Sequence, residues 1–109
     1  MTGKILVLSA VLALAAGSLA AQQAADGAGT YAKTCASCHG PAGAPSAAMA
    51  HAMAGLPDFT AASMASVPDS TLRNAILNGK GRMMAAYKGR LTPEQVTAVL
   101  AYIRTLAKH

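Results

Sequence analysis

Cys35, Ala36, Ser37, Cys38 and His39 are the residues of this 109-residue chain whose types and spacing point most directly to chemistry, and the two cysteines are the only ones present. Three chemistries use a C-x-x-C spacing: a redox disulfide, half of a zinc site, and covalent haem attachment with the adjacent histidine on the iron. Zinc takes four ligands, and no second cysteine or histidine pair follows, since His51 and His109 stand alone. A thioredoxin-type disulfide belongs where a strand meets a helix, and no alternating or β-branched strand pattern occurs beyond the first segment. Haem gives every member of the motif a task. Two thiols three positions apart near a helix end can each form a thioether with one vinyl group, and His39 then offers an imidazole to the iron from the same side. One covalent haem c per chain is the expectation.

The residues around this motif ask for such a cofactor. Residues 1–21 combine Lys4, an apolar run over Ile5–Ala16 and small residues at Ser18-Leu19-Ala20-Ala21, the pattern of a cleaved signal peptide. An uncleaved anchor is the competing reading, but Gly17 and Ser18 interrupt a run already short for a membrane span. The domain is therefore expected over 22–109, in the periplasm, with no membrane insertion once the leader is removed. From Gln22 onward large aliphatics are few and Ala and Gly fill most of the sequence. Small domains with so thin a core need a staple or an added apolar body. Lys and Arg total nine against four Asp and Glu. The basic residues form no run and aromatics are few, which argues against nucleic acid and for an acidic protein partner.

The periodicity predicts an all-α fold with three main helices. Ala24–Cys38 is Ala-rich, with Gly27 and Tyr31 stacked on the face of Cys35. Gly40–Pro68, rich in proline and glycine, predicts a wrapping loop with one or two short helical turns. Asp69 is the expected N-cap of a helix of about ten residues that stops at Asn78-Gly79. Thr92-Pro93-Glu94-Gln95 carries a capping box with proline at the first helical position, and Val96, Val99, Leu100, Ile103 and Leu106 continue the stripe. Arg104 and Lys108 sit near the negative end of that helix.

An iron held by one histidine has a sixth position, and Met49, His51, Met53, Met64, Met83 and Met84 are the candidates. Met49, Met53 and Met64 read as core fillers, and His51 as an exposed histidine. Met83-Met84 follows Gly79 and Gly81, far enough along the chain to return across the opposite face. The chain resembles the small bacterial class I cytochromes c over the whole mature sequence. The resemblance is carried by Gly27-x-x-x-Tyr31-x-x-x-Cys35-x-x-Cys38-His39-Gly40, by Leu91-Thr92-Pro93-Glu94-Gln95 and by Ala101-Tyr102-Ile103-Arg104. It implies that the first and last helices cross at Gly27 beside Tyr31 and Tyr102. It also aligns Met84-Ala85-Ala86-Tyr87-Lys88-Gly89-Arg90-Leu91 with the family's ligand loop, so that His39 and Met84 are the axial ligands and Cys35 and Cys38 the thioethers. Ala85 stands where that loop commonly has proline, which removes a restraint.

With both axial positions filled and no nucleophile–base pair in the chain, the expectation is a monomeric one-electron carrier and not an enzyme. The competing readings are a haem-based sensor with a displaceable Met84 and an electron-transfer subunit of a larger redox enzyme. Lys80, Arg82, Lys88 and Arg90 bracket Met84 and would steer the protein onto acidic surfaces of redox partners.

Overall fold

The computed structural model describes residues 26–108; the leader expected over residues 1–21, the expected helix start at Ala24 and His109 lie outside the described residues. The described elements are α1 (Gly27–Thr34), α2 (Ala36–His39), α3 (Ala47–Ala52), a 3-10 turn (Ala62–Ser66), α4 (Asp69–Asn78) and α5 (Pro93–Leu106). Among the described residues there is no strand, only the isolated bridges Lys80–Met84 and Lys88–Leu91. The all-α expectation holds, and the glycine- and proline-rich middle supplies only the short α3 and the 3-10 turn.

α5 is the axis of the molecule. Its start forms as its residue types require: the Thr92 hydroxyl accepts from the Gln95 amide (3.1 Å), the Gln95 side chain accepts from the Thr92 amide (2.8 Å), and Pro93 opens the first turn. The stripe then turns inside, with Val96 and Val99 at 0 % exposure, Leu100 and Ile103 buried beside them and Leu106 partly buried at its end. α1 crosses this helix. A methyl group on Gly27 would run into the Ala98 carbonyl and lie 3.2 Å from the Tyr102 Cβ, so the absence of a side chain sets how near the two backbones come. Tyr31, one turn on, is buried and packs its ring 5.2 Å from that of Tyr102. Gly27, Tyr31 and Tyr102 thus occupy the places expected of them.

Two expectations are corrected. The first helix does not run unbroken to Cys38. Asp26 caps α1 by accepting from the Gly29 amide (2.9 Å), and the helix breaks at Cys35 (φ −117°, ψ −33°) before resuming as the single turn α2. Asp69 is not an N-cap. Pro68 takes that position with no side-chain bond, and the Asp69 carboxylate is drawn instead to Arg104, whose Nε lies 2.8 Å from Oδ1. The same guanidinium donates to the Met64 carbonyl (2.6 Å) and to the Val67 carbonyl. Arg104 does lie in the last turn of α5, but its head group closes the 3-10 segment and the entry to α4 onto that helix.

Gly27→Ala, which would favour the helix by propensity alone, is expected to destabilise the holoprotein by about 1–3 kcal/mol through overpacking against Ala98. Chemical denaturation measures it, and a neutral or stabilising result would show that the crossing has room to spare.

Candidate functional site

The break at Cys35 arranges the motif. The Cys38 and His39 amides both turn to the Cys35 carbonyl (3.3 and 3.0 Å), winding α2 into one tight turn that brings Cys35, Cys38 and His39 together. Both cysteines are free thiols and half-buried. Burial pushes the Cys35 thiol pKa up, a shift opposed by its contact with the Thr34 hydroxyl (3.4 Å). His39 is buried, and desolvation lowers its pKa, which favours the neutral imidazole, the form that can ligate a metal.

Its Nδ1 is the one buried side-chain polar atom without a hydrogen-bond partner among the described residues. Unsatisfied buried polar groups are rare because each costs about 1–3 kcal/mol. The residues therefore fit the group expected from the sequence: two reduced thiols, and an imidazole that the polypeptide leaves incompletely satisfied.

Phe59 orients that imidazole. It stacks on the His39 ring (centroids 4.6 Å apart, planes 17° apart) and meets Tyr31 edge-on (6.4 Å, 63°). The Phe59 amide donates to the Gly43 carbonyl (2.9 Å), and the Tyr31 hydroxyl donates to the Gly40 carbonyl (2.7 Å). Desolvation is the main reason the Tyr31 pKa is pushed up to about 12, so this donor stays protonated. No motif or spacing in the sequence singled out Phe59. Its being the sole Phe in a chain without Trp was the available signal.

The methionines separate by burial. Met83 is 67 % exposed, whereas Met84 is half-buried and packed against the core cluster that also receives Cys35 and Ala36. Met64 is buried in the core; Met49 on α3 and Met53 at its C-cap are half-buried, and His51 is exposed. Met84 is held by its backbone, its amide donating to the Lys80 carbonyl (3.2 Å) and its carbonyl accepting from the Lys80 amide (3.0 Å). Gly79 makes the turn possible with φ +75°, where a side chain would also press on the Met84 carbonyl. Beyond Ala85 and Ala86, the Tyr87 and Lys88 amides donate to the Ile76 and Leu77 carbonyls (2.9 and 3.1 Å), satisfying the end of α4. The Tyr87 hydroxyl reaches the Thr34 carbonyl (3.1 Å). These ties were invisible in the sequence, where Tyr87 was only an aromatic at a matching position.

Lys80, Arg82, Lys88 and Arg90 are all exposed around this loop, and the Arg90 guanidinium lies 5.0 Å from the centre of the Tyr87 ring. A cleft of about 490 Å³ beside the loop is lined by Arg73, Lys88 and Arg90 over Leu77, Leu91 and Val96, with no carboxylate among its lining residues.

A family described as cytochrome c oxidase, cbb3-type, subunit III matches residues 22–103. Among solved structures, one described as KustC0563 c-type cytochrome superposes with a TM-score of 0.68 at 32 % identity, covering 76 % of this chain and 99 % of that one. No curated protein matches the chain significantly.

Phe59→Ala is expected to cost about 3–5 kcal/mol of stability, as for other buried phenylalanines. A loss below about 1 kcal/mol in denaturant unfolding would show that the ring is not seated between His39 and Tyr31.

Proposed function

The chain belongs to the c-type cytochromes of the family described as cytochrome c oxidase, cbb3-type, subunit III, and we propose that residues 22–109 form a periplasmic one-electron carrier with a single haem, exported by the leader at 1–21. The observation that carries this reading is the buried His39 imidazole with an unpartnered Nδ1, directly following two free thiols. Bound there, haem c supplies an Fe(III)/Fe(II) couple.

The polypeptide supplies attachment, ligation and surroundings. Cys35 and Cys38 hold the group covalently, so that it is not lost outside the cytoplasm. His39 ligates from α2 with its ring plane set by Phe59 stacking. Met84 would be the second protein ligand, a role supported by its packing against the core and by the Lys80 bridge. A thioether ligand favours the ferrous form, and the apolar stripe of α5 excludes water to the same effect. With His39 and Met84 both bound to the group, no coordination position would be left for a substrate, and the protein would act as a carrier and not as an enzyme.

The exposed cations around Met84 support docking onto an acidic surface of a donor or acceptor, and the carboxylate-free cleft at Arg73, Lys88 and Arg90 extends the same charge. No helix among the described residues is long and apolar enough to cross a membrane. A second reading, an electron-transfer subunit bound to a larger redox enzyme, is favoured by the family description. It uses the same residues and differs in the permanence of the contact.

Met84→Ala is expected to abolish the long-wavelength sulfur-to-iron absorption of the ferric protein, and Met83→Ala to retain it. Persistence of the band in Met84→Ala would overturn the ligand assignment. Electron transfer to an acidic partner is expected to slow steadily as ionic strength rises from low to moderate. A flat or rising rate would exclude steering by these cations.

A further inference from the structure

We propose that Tyr87 is a positioning residue for Met84, its hydroxyl latching the ligand loop onto the segment that carries the cysteines; this rests on the reading of Met84 as an iron ligand. The latch exists because of the break in the first helix. In a continuous helix the Thr34 carbonyl would accept from the Cys38 amide, but that amide turns to Cys35 instead. The Thr34 carbonyl is left to a donor 53 positions along the chain, and the Tyr87 hydroxyl fills the vacancy at 3.1 Å.

Tyr87 is therefore tied at both ends, its amide to Ile76 on α4 and its hydroxyl to the end of α1, with its ring half-buried against the core and faced by Arg90. Between this anchor and the Lys80 bridge lie only Ala85 and Ala86, which make no backbone hydrogen bonds of their own. Ala85 has none of the φ restraint that proline would give. The side chain of Tyr87 thus joins the two sides of the site across its edge, Thr34 next to Cys35 on one and Met84 three residues away on the other.

An external ligand reaches the iron only when Met84 leaves it, so apparent affinity scales with the open fraction of the loop. Tyr87→Phe keeps the ring and its stacking while removing the latch. Titration of the ferric holoprotein with imidazole is expected to show binding about three- to tenfold tighter in Y87F than in the unaltered protein. Carbon monoxide binding to the reduced protein is expected to accelerate by a similar factor. Equal imidazole affinity in the two proteins would overturn the proposal even if Y87F melted at a lower temperature, because that pattern belongs to packing alone.

A measurement free of substitutions gives the same decision. Proton resonance of the reduced holoprotein is expected to show a slowly exchanging Tyr87 hydroxyl, and a freely exchanging one would overturn the latch. Failure of the underlying reading looks different: the unaltered protein would then bind imidazole as tightly as Met84→Ala does.

Discussion

The close contact of α1 and α5 at Gly27 is the constraint on which the other positions depend. At that spacing the α1 backbone lies against the Ala98 carbonyl, and Tyr31 falls one turn later into the core beside Tyr102. Tyr31 in turn fixes two things at once: its ring supports the edge of Phe59, and its hydroxyl holds the Gly40 carbonyl immediately after His39. The imidazole is thus located through a chain of contacts that begins at a missing side chain four residues before Tyr31. A wider crossing would move Tyr31, and with it both the stacking partner of His39 and the exit of α2.

The two halves of the site are built by different physics. The cysteine and histidine side rests on burial and aromatic packing, with His39 enclosed under Phe59 and no exposed cation needed nearby. The methionine side rests on directional hydrogen bonds. Lys80 grips Met84 in both directions, while the end of α4 receives Tyr87 and Lys88. This division follows from composition. Few large aliphatics are available, α5 uses Val96, Val99, Leu100 and Ile103 to hold itself against α1 and α4, and little is left to bury the loop.

Elements with a local signal were legible in the sequence, and those made by distant pairing were not. The α5 cap is written in four consecutive residues, Thr92 to Gln95, and the Asn78-Gly79 stop in two, because each interaction closes within one turn. The four-residue spacing of Gly27, Tyr31 and Cys35 marked a shared helix face, but that α5 is what crosses it at Gly27 became readable only through resemblance. Asp69 misled because the same carboxylate suits an N-cap and an ion pair, and Arg104, 35 residues away, decides between them. Likewise the helix break at Cys35 has no proline or glycine to announce it. Its stabilising partners are the Cys38 and His39 amides one turn on and a tyrosine from the far loop.

In the role proposed for it, a loop that presents Met84 as a ligand and also faces a partner meets two opposing demands. Exchange of electrons with another protein is served by exposure, and the exposed Lys80, Arg82, Lys88 and Arg90 place charge where a weak, fast encounter can use it. Exposure, however, removes packing as a source of rigidity, and glycines at 81 and 89 remove more. Rigidity must then come from bonds at the ends of the loop, and that is where the structure puts them: at Lys80 and Met84 on one side, at Tyr87 and Lys88 on the other. Small side chains at Ala85 and Ala86 suffice between these anchors. The missing proline is thereby offset by tertiary contacts, and on the proposed ligation retention of Met84 becomes a property of how α1, α4 and the loop are held together.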